Sequence, residues 1–278
     1  MKELYDKVSI ECSRITTQAY STSFSLGVLC LSKELRAPIY SIYGFVRFAD
    51  EIVDSFHCYD KEALLEKFKS DTYCAIQDKI SMNPILNSFQ HTVNEYQIER
   101  ELIDQFLKSM EMDLAQKKHD DLSFKAYIFG SAEVVGLMCL RVFVKGNTNL
   151  FEQLKPYAMR LGAAFQKINF LRDLNADVVG LGRVYFPGID FTDFNERSKQ
   201  RIEKEISEDF RQGYMGIRQL PKAACFGVYV AYVYYLALFR KIRNTPSRLV
   251  LKSRIRIRTR EKALLLAYSF IRHQLKLL

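Results

Sequence analysis

Tryptophan is absent from this 278-residue chain, and the residues that interrupt helices are scarce, with 12 glycines and 6 prolines. So few breakers over this length exclude a turn-rich sandwich or barrel and favour long helices. The opening residues, Met1-Lys2-Glu3-Leu4-Tyr5-Asp6-Lys7, lack the apolar run of a signal peptide. The six cysteines, at 12, 30, 58, 74, 139 and 225, lack any CxxC or metal-ligand spacing. They read as reduced thiols, so a cytoplasmic location is expected. RNP, helix-turn-helix and zinc-finger patterns are also missing, and nucleic acid is not expected as a partner despite a net charge of +9. The positive excess then points to an anionic membrane, touched peripherally, or to a multiply charged small substrate. Much of it lies in Lys252-Ser253-Arg254-Ile255-Arg256-Ile257-Arg258-Thr259-Arg260.

What the chain does have is apolar residues, 48% by count, enough for a sizeable core. Helical periodicity predicts an all-α fold, with helices near 5–20, 33–57, 61–78, 84–95, 99–116, 123–144, 149–178, 197–219, 222–243 and 260–276. Asn83-Pro84 reads as a cap followed by a first-turn proline, and Gly146-Asn147 as a stop. No linker or composition shift divides the chain, so one domain over 1–278 is expected. Ala223 to Phe239 carries no charge and is at the lower limit for a membrane span. Its four tyrosines, at 229, 232, 234 and 235, are spread through its length rather than gathered at its ends, which favours a central helix of a bundle.

Two sets of polar residues stand out against this apolar background. At about 100° per residue, Tyr43, Arg47, Asp50 and Asp54 share one helix face. Gln166, Asn169, Asp173 and Asp177 share a face of another. Each set is embedded among bulky apolar residues, such as Phe45, Phe48 and Ile52 in the first and Ile168, Phe170 and Leu171 in the second. Aspartates on a buried stripe repel one another and lose hydration, and cations between the two helices remove both penalties. Oxygen-only ligands suit Mg²⁺, with Mn²⁺ as the alternative, bridging carboxylates to substrate phosphates. A single DxxxD is common on solvated faces; two, each preceded by polar residues on the same face, point to a site.

The order of landmarks resembles the squalene/phytoene synthase family, and bacterial phytoene synthases within it. Ser21-Thr22-Ser23-Phe24-Ser25 is followed by Tyr43-x3-Arg47-x2-Asp50-Glu51-x2-Asp54. Tyr127-x2-Gly130-x-Ala132-x2-Val135-Gly136 comes next, then Gln166-x2-Asn169-x2-Arg172-Asp173-x3-Asp177, and last Arg183-Val184-Tyr185-Phe186-Pro187. The resemblance implies a helical bundle of the isoprenoid synthase type with a central cavity. It also implies 1′–1 condensation of two prenyl diphosphates through a cyclopropylcarbinyl diphosphate. Asp50, Asp54, Asp173 and Asp177 would hold metal, with Arg47 clamping diphosphate. Ser23, Phe24, Gln166, Asn169, Arg172, Tyr235 and Arg254 would contact substrate; Tyr43 either steers phosphate or cation, or simply packs. A dry pocket is expected from Phe24, Val28, Leu137, Met138, Leu140, Phe165 and the tyrosines of 229–235.

The small residues Ala132, Gly136, Gly162, Ala163 and Ala164 are expected to leave room for a long tail, or to serve close helix packing. Together with Gly136-Leu137-Met138 this favours geranylgeranyl diphosphate as substrate and phytoene as product, without a nicotinamide. Squalene or dehydrosqualene from farnesyl diphosphate is the alternative, and a non-catalytic assembly protein of the same fold is the alternative from another class. Four departures from the family pattern stand out. Tyr20 replaces a frequent histidine, Glu133 a frequent glycine and Ala176 a frequent acid, and the link from Asp173 to Arg183 is one residue longer than usual.

Overall fold

The computed structural model describes residues 1–115, 118–189, 194–252 and 254–275. The chain opens with α1 (Lys2–Tyr20), α2 (Thr22–Leu29), α3 (Lys33–Ser55), α4 (Lys61–Asp78), α5 (Pro84–Tyr96) and α6 (Arg100–Ala115). α7 (Asp121–Ile128) runs through a π-helical turn (Phe129–Glu133) into α8 (Val134–Val144). α9 (Thr148–Asn175) leads into a second π-turn (Ala176–Leu181), and α10 (Glu196–Ile217), α11 (Lys222–Arg243), α12 (Ser247–Val250) and α13 (Thr259–Gln274) complete the order. Among the described residues there is no strand, only an isolated bridge between Lys118 and Val184. The all-α expectation therefore holds, while the ends expected at 116 and 276 lie outside the described residues.

Local chemistry sets most boundaries. The Asn83 side chain accepts from Ile85 N at 3.0 Å, with Pro84 in the first turn, where a missing N–H costs nothing. After α8 the chain passes through positive φ at Lys145 and Gly146, and Asn147 caps α9 by accepting from Leu150 N. α2 is absent from the periodicity because Ser21-Thr22-Ser23 has little helix preference. Ser21 turns extended and its hydroxyl accepts from Phe24 N, while the Ser25 hydroxyl donates to Thr17 and Ser21 carbonyls, so side chains restart the helix.

Both expected long helices, 123–144 and 149–178, contain a π-turn, which is an α-turn widened by one residue. The second lies between Asp173 and Arg183, the link expected to be one residue longer than usual. Arg183 N then closes back on the Asp177 carbonyl at 2.8 Å.

The core centres on Phe45, which stacks on Phe89 at 3.9 Å and on Phe68 at 5.6 Å. A second cluster gathers around Phe170, stacked on Tyr185 at 4.0 Å. α9 contributes to both clusters and packs against α8, α10 and α11. Close approach needs glycine at Gly216, where a Cβ would stand 2.3 Å from Tyr157 Cβ. α11 and the stretch Asp121–Val144 are long and apolar enough to cross a membrane, yet about half of each is buried against the rest of the chain. α11 packs on α2, α9, α10 and α13, as expected of a bundle helix.

Candidate active site

α3 presents the first aspartate set. Arg47 Nη1 donates to Asp50 at 2.8 Å and its other nitrogens reach Glu51. Its guanidinium lies 4.3 Å from the centre of the Tyr20 ring, so Tyr20 joins the site by a cation–π contact. On α9, Arg172 Nε donates to Asp173 at 3.0 Å, and Arg254 Nε reaches the same carboxylate at 2.7 Å from the far end of the chain. Asn169 donates to Gln166 at 3.4 Å and accepts from the Tyr235 hydroxyl at 3.4 Å. Gln166, Asn169 and Tyr235 therefore form one linked set on this face of α9, and Arg172, Asp173 and Arg254 another. Ser23 is half-buried on α2, without a hydrogen bond to either aspartate set.

Sequence reasoning quoted Arg183 and Tyr127 as landmarks without giving them a role, and passed over Asp113. Arg183 Nη1 donates to Asp54 at 2.6 Å, while its Nη2 reaches the carbonyls of Val53 and Asp113. The buried Asp113 carboxylate accepts from Tyr127 at 2.7 Å and from Tyr185 at 3.1 Å. Arg183 thus ties the end of α3 to α6 and to the chain leaving the second π-turn. The one available signal was an aspartate within the apolar stripe of α6.

Burial, then Asp54, pushes Asp50 well above the ordinary carboxylate range, against the pull of Arg47. Asp177 is pushed up to about 7 by burial and then by Asp173 and Asp54, so the two sets feel one another. Burial lifts Asp113 to about 6 despite Arg183. Burial leads each of these shifts and neighbouring carboxylates add to it, and the donors are all oxygen, which fits a hard divalent cation. Among the described residues no three acidic, imidazole or thiol groups already close on one point. Asp50, Asp54 and Asp173 are instead turned to arginines.

Beside this cleft lies an apolar cavity of about 280 Å³. Its polar end is a collar of two ring pairs: Phe24 on Tyr43 at 4.9 Å and Phe165 on Tyr235 at 4.0 Å. Tyr43 is pushed up to about 12, chiefly by burial, so its hydroxyl stays protonated. Of the expected wall, Phe24, Val28, Leu140, Phe165 and Tyr235 line the cavity. Leu137 and Met138 do not, because they occupy the opposite face of α8 in the first core cluster. Tyr229, Tyr232 and Tyr234 point to other sides of α11, with Tyr229 in a third cluster and Tyr234 bonded to the Lys262 carbonyl. Ala163 and Ala164 are likewise displaced into the second cluster, and Gly162, Ala132 and Gly136 take their place in the wall. Gly162 also serves close packing, since a Cβ there would meet the Ala132 carbonyl oxygen at 2.7 Å.

A family model described as squalene/phytoene synthase matches residues 17–261. The chain is 26% identical over 264 residues to chloroplastic phytoene synthase 1 of Solanum lycopersicum, covering 87% of this chain and 61% of that protein. It is 27% identical over 172 residues to presqualene diphosphate synthase of Rhodopseudomonas palustris, covering 61% of this chain and 59% of that protein. The chain thus spans only about six-tenths of either relative. A dehydrosqualene synthase solved with a ligand shares the fold, with a TM-score of 0.83 at 18% identity over 98% of each chain.

Proposed function

This chain belongs to the squalene/phytoene synthase family, and from that premise we propose that it joins two geranylgeranyl diphosphates 1′–1 to give phytoene. The observation that carries the reading is the aromatic collar, with an apolar cavity on one side and four aspartates on the other. A long prenyl diphosphate has that same division: a hydrocarbon for the cavity and a diphosphate for the cleft.

Asp50, Asp54, Asp173 and Asp177 would hold Mg²⁺, which when bound supplies Lewis-acid stabilisation of the departing diphosphate. Arg47, Arg172 and Arg254, which rest on these carboxylates, would turn to phosphate oxygens and clamp them with paired N–H donors. Gln166 and Asn169, held in register by Tyr235, present amides beside them. Once diphosphate leaves, the allylic cation lies against the faces of Phe24, Tyr43, Phe165 and Tyr235, whose π clouds favour positive charge. The acceptor's double bond attacks, a proton is lost, and the cyclopropylcarbinyl diphosphate forms. A second ionisation, rearrangement and proton loss complete the hydrocarbon, releasing two diphosphates in all. The apolar wall excludes water, which would quench either cation as an alcohol. Free thiols at all six cysteines are consistent with action in the cytoplasm.

A second reading, condensation of two farnesyl diphosphates to dehydrosqualene or squalene, is favoured by the cavity's size. About 280 Å³ is just below the usual range of ligand pockets. Incubating the protein with each diphosphate, with and without NADPH, and weighing the extracted hydrocarbon by mass spectrometry separates the two. The C40 hydrocarbon should dominate at equal substrate concentrations, with no response to NADPH. A dominant C30 product, or a yield rising steeply with NADPH, overturns the phytoene assignment.

A further inference from the structure

The net charge of this chain is concentrated in its last tenth. Residues 252–278 hold eight lysines and arginines against one acid, Glu261, a net of +7 out of +9. The arginines at 254, 256 and 258 alternate with Ile255 and Ile257 in an extended segment that buries the isoleucines more than the arginines. α13 follows directly, and it is poorly buried for a bundle helix, with Ser269 its one fully buried residue among those described. Leu264, Tyr268, Ile271 and Leu275 are 71%, 50%, 56% and 63% exposed. At about 100° per residue these four fall within an arc of roughly 60°, a continuous apolar stripe facing away from α11.

The geometry points to this stripe and the arginines before it as a docking surface for an anionic lipid bilayer. An exposed apolar stripe beside a dense positive patch matches an interface with acyl chains below and lipid phosphates above. A second copy of this chain fits less well, because two such surfaces brought together would oppose +7 to +7. The position of the segment adds a reason, one that rests on the prenyl diphosphate reading. Arg254 sits on Asp173, and Lys262 Nζ meets the Thr22 hydroxyl at 2.5 Å, so the basic segment borders both the aspartate cleft and the helix carrying Phe24. A chain lying on lipid by α13 has its cleft next to the bilayer, where a long-tailed amphiphile is concentrated and its product can be returned.

Sedimentation with vesicles tests this without substrate. The protein should pellet with vesicles of equal parts phosphatidylglycerol and phosphatidylcholine, and at least about tenfold less with phosphatidylcholine alone. Raising salt from ~0.1 M to several times that should weaken binding, since attraction is screened over about 10 Å or less. The triple variant Leu264→Ser/Ile271→Ser/Leu275→Ser should lose binding about tenfold or more while melting normally, as these side chains are exposed. Arg256→Gln/Arg258→Gln/Arg260→Gln should lose the preference for phosphatidylglycerol. Equal binding by the parent and the serine variant overturns the proposal. So does a dimer in sedimentation equilibrium that the serine variant abolishes while vesicles are ignored. Vesicle binding by a chain that releases no hydrocarbon would keep this surface and remove the proposed reaction.

Discussion

At the scale of single residues, Asp50 and Asp173 are the carboxylates proposed to hold metal on α3 and α9, and their amides keep the shape while losing the charge. Asp50→Asn or Asp173→Asn should lower turnover by about two orders of magnitude or more under saturating magnesium. The circular dichroism spectrum should stay unchanged, because Asp50→Asn relieves a crowded, half-buried carboxylate. Near-normal turnover in either variant refutes the site.

Glu133 behaves differently, being away from the cleft. Burial lifts it from an ordinary 4.5 to about 7, and Asp209 adds to the rise while Arg160 and Lys167 oppose it. The folded chain therefore holds this proton more tightly than the unfolded chain. The group's stabilisation is present below about pH 4.5 and is lost as pH rises through about 7. Glu133→Gln should raise the melting temperature near pH 8 by a few degrees, about 1 kcal/mol after allowing for its partial solvent contact. The gain should vanish near pH 4.5; a pH-independent difference between the two proteins contradicts it.

At the scale of elements, the join between α3, α6 and the second π-turn rests on Arg183 and Asp113. Removing the Asp113 carboxylate leaves Arg183 without one of its buried partners and orphans two tyrosine hydroxyls. Asp113→Ala should cost about 3–5 kcal/mol, read as a lower urea midpoint with little change in slope. A loss below about 1 kcal/mol would mean the network contributes little to holding α3.

Elements also show where sequence reading succeeds and stops. The α4 and α5 starts are readable because Asp60 and Asn83 bond within three residues of themselves. The aspartate faces are readable because helical geometry alone places residues four apart together. Asp113 with Arg183 is not, since those partners lie 70 residues apart and meet only through tertiary packing. Nor is the wall position of Ala163 and Ala164, because the consecutive small residues 162–164 give no sign of which of α8, α10 and α11 each one faces.

At the scale of the whole molecule, the proposed reaction makes the cavity the part that would select chain length. Val28 is buried on α2 and lines it, so a larger side chain there can extend into open space instead of overpacking the core. Val28→Phe should reduce turnover of the C20 substrate about tenfold more than that of the C15 substrate, measured by product mass at equal concentrations. An unchanged ratio would place the end of the tail elsewhere. The arginines of the cleft have a wider consequence. Asp50, Asp54 and Asp173 each rest on a guanidinium belonging to the chain itself, two of these arriving from 183 and 254. The protein thus carries its own interim counter-ions, and its helices need no mineral scaffold to stay together. A sample stripped with EDTA should melt cooperatively within a few degrees of an untreated one and regain full turnover when magnesium is restored. That is the reverse of a zinc finger, which unravels when its metal is taken away.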